Sequence, residues 1–135
     1  MHPTSSRMVT TVDHQRLFDL IDRLPDSSSG IQATLADVLD FAHVIPSRLI
    51  EPNVVTMRSQ IRLLAGPEHT PLDLTLSYPG DTQAHALSIL SPLGASVIGS
   101  RVGDEICWQG LDGRVRRAVL SAVPFQPEAA GLFHL

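Results

Sequence analysis

Lysine is missing altogether: all ten basic residues are arginine. Against 14 acids they leave a net charge of −4, which argues against non-specific nucleic-acid binding, since that rests on broad phosphate neutralisation. Cysteine occurs once, as Cys107, so no internal disulfide is available and the usage fits a reducing compartment. No run approaches the ~20 apolar residues of a membrane-spanning helix. The opening MHPTSSRMVTTVDHQ has no apolar signal region, so the expectation is a cytoplasmic protein. His2, His14, His43, His69, His85 and His134 show no metal-ligand spacing, and no cysteine joins them in a zinc pattern. There is no Gly-x-Ser-x-Gly and no acid–base pair. Neither a cofactor, a metal nor a catalytic group is expected. Cys107, beside Trp108 on an expected strand, reads as structural rather than nucleophilic.

What is present is 43% apolar residue content in 135 residues, enough for one packed domain with a small appendage. The acids concentrate early: seven against four arginines in residues 1–52, and seven against six in residues 53–135. From Val12 to Val44 the period is helical. Leu17, Leu20, Ile21 and Leu24 form one stripe, and Ile31, Leu35, Val38, Leu39 and Ala42 a second. Asp13 is placed to cap the first helix. Pro25-Asp26-Ser27-Ser28-Ser29-Gly30 separates the two. The pattern predicts a short antiparallel helical hairpin, reaching about 20 Å at 1.5 Å per residue. Ile45 to Asn53, with two prolines, reads as a linker. The domain boundary therefore falls at 52, with residues 1–52 as hairpin and linker and residues 53–135 as a second unit.

After the linker the period changes to two. Gln60–Ala65, Leu72–Tyr78, Ala86–Ile89, Glu105–Trp108 and Val115–Val123 are strand candidates, with Gly110-Leu111-Asp112-Gly113 as a hairpin turn. Arg116 and Arg117 adjoin without alternation, which suggests a bulge there. Arg101, Arg114, Arg116 and Arg117 offer a basic face, or edge charges that discourage strand pairing. Pro92 to Gly99 is one short helix, with Pro92 suited to its first turn and Gly99 to the position past its end. Gly94 and Gly99 have phosphate-loop spacing, but Ser100-Arg101 replaces the Lys-Ser/Thr that chemistry needs. The whole is α+β: a short N-terminal antiparallel helical hairpin and a mostly antiparallel sheet with one short helix.

Ser91-Pro92-Leu93, Ile98-Gly99 and Val102-Gly103-Asp104-Glu105-Ile106 resemble the signature of the Gre-factor C-terminal domain, a small FKBP-like fold. Val54–Ser59 resembles that domain's first strand. Thr75–Pro79, Ser91–Ala95 and the ending Phe125–Gly131 are closer still to the short-hairpin members named as regulators of nucleoside diphosphate kinase. The resemblance implies a non-catalytic transcription regulator that binds bacterial RNA polymerase at the rim of its secondary channel and competes with Gre factors. It also implies an effect on nucleoside diphosphate kinase, direct or indirect. The docking corner it implies is Ser91, Pro92, Leu93 and Gly94, an exposed helix start with free backbone N–H groups. Leu90 stands where the family has an Asp. Gre factors carry Asp-x-x-Glu at the hairpin tip to hold a metal ion for transcript cleavage. Here Asp26 is alone, with Ser29 three residues on, so cleavage stimulation is not expected. Asp26 is retained as a contact to a basic channel wall. The FKBP-like fold leaves prolyl isomerisation as an alternative, against which stand the few aromatics, 4% of the chain.

Overall fold

The structure is a computed structural model that describes residues 7–25, 30–110 and 112–133. Strand β1 (Met8–Thr10) leads directly into α1 (Thr11–Arg23). Thr10 caps α1, its hydroxyl accepting from the Asp13 amide at 3.0 Å. Asp13, expected as the cap, instead lies in the first turn and points inward, because Thr10 already holds the extended cap geometry. Helix α2 (Ile31–Phe41) lies in contact with α1. His14 Nε2 lies 3.2 Å from Leu39 O, and Gln32 Nε2 donates to Ile21 O at 3.2 Å. The i,i+4 pairs Leu17/Ile21 and Leu35/Leu39 are buried. Asp26 and most of the expected break between the helices, residues 26–29, lie outside the described residues.

Strand β2 (His43–Ile45) pairs in parallel with β1, Met8 opposite His43 and Thr10 opposite Ile45. Neither strand was expected from the sequence. Three residues are too few to show a period, and their pairing joins segments distant in sequence. The expected linker contains a short 3-10 turn, Ser47–Leu49.

The second sheet holds β3 (Gln60–Ala65), β4 (Thr70–Ser77), β5 (Ala86–Ser88), β6 (Glu105–Gln109) and β7 (Val115–Phe125), in the order β5-β4-β3-β7-β6. All neighbours are antiparallel except β4 and β5. Because β5 is so short, the loop from Tyr78 to His85 completes the parallel return without a helix. Val54–Ser59 is not a strand: only Val54 bridges to Arg101, and the chain then turns, with Arg58 left-handed at φ 65°. The expected bulge at Arg116 and Arg117 is also absent, since both stand in regular register with Trp108 and Cys107. The irregularity lies further on, where β7 opposite Gln60–Leu63 shifts register twice.

Helix α3 (Pro92–Val97) packs against β6 and α2. One apolar cluster takes Leu17 and Leu35 from the helices, Ile61, Leu76 and Leu120 from the sheet, and Ala95 and Ile98 from around α3. The architecture is α+β. No described helix is long and apolar enough to cross a membrane.

Candidate functional site

The corner predicted at Ser91–Gly94 forms where β5 ends and α3 begins. Ser91 is the N-cap: its hydroxyl accepts from the Gly94 amide at 3.0 Å and donates to Ser88 O at 2.7 Å. The Ala95 amide bonds Ser91 O at 3.0 Å. With Pro92 lacking an N–H, the remaining amide of that turn is Leu93's, so the corner is less rich in open donors than the sequence suggests. Pro92 is exposed, Ser91 and Leu93 are half-buried and Gly94 is buried. Leu93 packs partly against the core. The exposed surface of the corner is therefore the Pro92 ring with the edges of Ser91 and Leu93. Gly94 acts from below: a Cβ there would stand 2.0 Å from Ser88 O. Asp26 is not among the described residues.

The far end of α3 is held by a residue that the sequence did not single out. The Arg7 guanidinium donates to Ser96 O and to Ile98 O, the latter at 2.9 Å, placing a cation on the last carbonyls of the helix. Burial lowers the Arg7 pKa, and Asp104 opposes that. Met8 N bonds Gly99 O at 3.1 Å. The segment before α1 is thus tied to the exit of α3.

A buried polar cluster joins α1 to the segment before β3 and to the end of β4. Asp13 is 2% exposed; its carboxylate accepts from the Met57 amide at 3.0 Å and from the Tyr78 hydroxyl at 3.3 Å. Burial pushes its pKa up to about 6, with Glu128 adding repulsion and the hydrogen bonds opposing. Burial and the neighbouring Asp13 push the Tyr78 hydroxyl up as well. Thr56 Oγ1 donates to Glu128 Oε1 at 2.6 Å, and Gln126 Nε2 donates to Glu51 O and Val54 O at 2.7 and 2.8 Å. The Phe125–Gly131 ending therefore anchors the crossing between the helices and the sheet. One sequence signal for Asp13 existed: it sits four residues before Leu17 and eight before Ile21, on the buried stripe.

The arginines grouped as a basic face are mostly paired. Arg116 bonds Asp112 at 2.9 Å, Arg114 lies 4.0 Å from Asp112, and Arg117 lies 3.8 Å from Glu105. Arg101 instead reaches back toward Met8 Sδ. Cys107 lies on β6, the expected strand, and is exposed. Trp108 is half-buried against the core. Two open clefts, of about 640 and 430 Å³, flank Arg58, and Trp108 lines neither.

With this geometry in place, comparison with known proteins defines the class. Residues 50–123 match the model of the family "Transcription elongation factor, GreA/GreB, C-term", and the chain belongs to that family. It is similar to the regulator of nucleoside diphosphate kinase (Rnk) of Escherichia coli strain K12, with 29% identity over 126 residues, 92% of this chain and 93% of that one. The Shigella flexneri regulator matches to the same extent. A solved structure titled as a prokaryotic transcription elongation factor GreA/GreB from Nitrosomonas europaea shares 34% identity at a TM-score of 0.73, covering 90% of this chain and all of that one. The family is of a regulatory, elongation-factor type.

Proposed function

We propose that the protein is an RNA polymerase-binding transcription regulator of the Rnk kind, which docks near the secondary channel and competes with Gre factors without stimulating transcript cleavage. In this reading residues 53–135 are an FKBP-like docking module and residues 1–52 a blunt helical hairpin that occupies the channel mouth. The observation that carries it is the Ser91–Pro92–Leu93 corner: a capped, rigid helix start that presents an exposed proline, braced at its other end by Arg7. Family membership supplies the partner. The absence of cleavage follows from Ser29 in the place of the second metal-holding carboxylate. An effect on nucleoside diphosphate kinase, named in the relatives, is then indirect and runs through transcription.

Co-migration of the purified chain with core RNA polymerase, competed by a Gre factor, tests the proposal. Pro92→Glu is the informative variant, because Pro92 is exposed and glutamate suits a first helical turn. Its melting temperature should match the parent while binding falls about tenfold or more. Ser91→Ala removes the cap and costs about 1 kcal/mol of stability, so its binding loss mixes two effects. Equal polymerase binding by Pro92→Glu and parent would refute docking at this corner.

A further inference from the structure

The two edge strands of the larger sheet, β5 and β6, are built differently. β5 has three residues, and an edge so short offers little for another chain to pair with. β6 has five, Glu105–Gln109, in unbroken register with β7 and with a strand on one side only. Which of its backbone groups point outward follows from the bonds at its two ends. The Leu120 amide donates to Asp104 O at 3.0 Å, and the Gly110 amide donates to Arg114 O at 2.8 Å. Hydrogen-bonded pairs alternate along an antiparallel ladder, so between those two pairs Ile106 and Trp108 turn their N–H and C=O toward β7. Glu105, Cys107 and Gln109 turn theirs away from it. Those outward groups have no hydrogen-bond partner among the described residues, and all three residues are exposed. The devices that blunt an open edge are missing from β6: it has no proline, no lysine and no bulge, and its one charge is Glu105 at the first position. Arg116 and Arg117 lie one strand inside, against Asp112 and Glu105.

We propose that β6 pairs antiparallel with β6 of a second copy of this chain, about a two-fold axis at Cys107, so that two sheets join edge to edge. Self-complementarity selects this occupant. The outward groups are spaced evenly about Cys107, so Glu105 meets Gln109 of the second copy, Cys107 meets Cys107 of the second copy, and each pair exchanges both of its bonds. No acid faces an acid across the axis. The β7 arginines of the two copies stand three strand spacings apart, roughly 14 Å, which exceeds the ~10 Å screening length at 0.1 M salt. An extended segment of another protein could use the same backbone groups, but it would not draw on that symmetry. The contact is mostly backbone and small in area, so the dimer is weak, with a dissociation constant on the order of 0.1 mM.

The test is sedimentation equilibrium of the full chain from about 10 μM to about 1 mM, in reducing buffer so that no disulfide through Cys107 contributes. The average mass should rise from that of one chain toward that of two. Gln109→Arg sets a cation opposite Glu105 of the second copy, twice per dimer, and should tighten association about fivefold. Gln109→Glu sets an acid there and should weaken it by a similar factor. Cys107→Glu faces Arg117 within its own chain, which suits the fold, but faces its own copy across the axis, and association should weaken about tenfold. Both positions are exposed, so the variants should melt near the parent. A chain that stays monomeric at about 1 mM overturns the proposal. Association that responds alike to Gln109→Arg and Gln109→Glu, or that survives Cys107→Glu unchanged, also overturns it, because the contact then runs through another surface or register. The test contains no polymerase, so it stands or falls apart from docking at Pro92.

Discussion

Gly94→Ala should lose about 3 kcal/mol of stability or more, although alanine is the better helix former by about 1 kcal/mol. The reason is the 2.0 Å between the new Cβ and Ser88 O, with Ser88 C at 2.9 Å and Ile89 Cα at 3.0 Å behind it. All three are backbone atoms, so no side chain can rotate away. Relief requires α3 to separate from the end of β5, which breaks the Ser91 bonds to Ser88 O and unseats the corner. A drop of about 10 °C or more in the melting temperature is expected. A melting temperature within about 2 °C of the parent would show that β5 and α3 are not in such close contact. The same substitution should weaken polymerase binding, because the corner is built on that contact.

The second large effect concerns pH. The Asp13 carboxyl has its pKa raised from 3.8 to about 6 by burial, so the folded state holds the proton more tightly than the unfolded chain. The sign follows: the stabilising contribution is full below about pH 4 and is lost as pH rises through about 6. At 1.36 kcal/mol per pKa unit, the loss across that window is about 3 kcal/mol. Asp13→Asn keeps an oxygen for the Met57 amide and removes the charge. Urea unfolding of parent and variant between pH 3 and 8 should show a stability difference that swings toward the variant by about 3 kcal/mol, with most of the change between pH 4 and 6. A flat difference would mean that the group is not held as described. Asp13→Ala should be worse than Asp13→Asn by about 2 kcal/mol at any pH, since it leaves the Met57 amide and the Tyr78 hydroxyl unpaired.

These two residues mark what was legible in the sequence. β3, β4, β6, β7 and α3 could be placed because alternation, Pro92 and the glycines each act locally. Gly94 could be read as part of a helix but not as a contact, because its need for a missing side chain arises from Ser88 across the corner. Val54–Ser59 was expected as a strand from the resemblance, yet Thr56 and Ser59 bond one another at 2.9 Å and the Arg58 amide turns to Leu76 O at 2.7 Å. Contacts within the turn and to β4 decide its shape, and neither is visible as a period in the sequence. Pairing partners likewise decide the bulge: Arg116 and Arg117 each have an opposite residue on β6, whereas the end of β7 must follow β3. Arg7, Arg58 and Glu128 act on groups tens of residues away, where no spacing rule reaches.

The parallel pairing of β1 with β2 has a consequence for how such chains diversify. Entry to and exit from the 11–41 excursion are fastened side by side, Met8 against His43, with Met8 also bonded to Gly99 beyond α3. An excursion closed at its base is a cartridge: helical turns can be added or removed at its outer end while the frame below stays in place, and doubling a flexible closed loop adds only ~0.6 kcal/mol. Reach is thereby uncoupled from grip, so one clamp can carry a stub or a long probe.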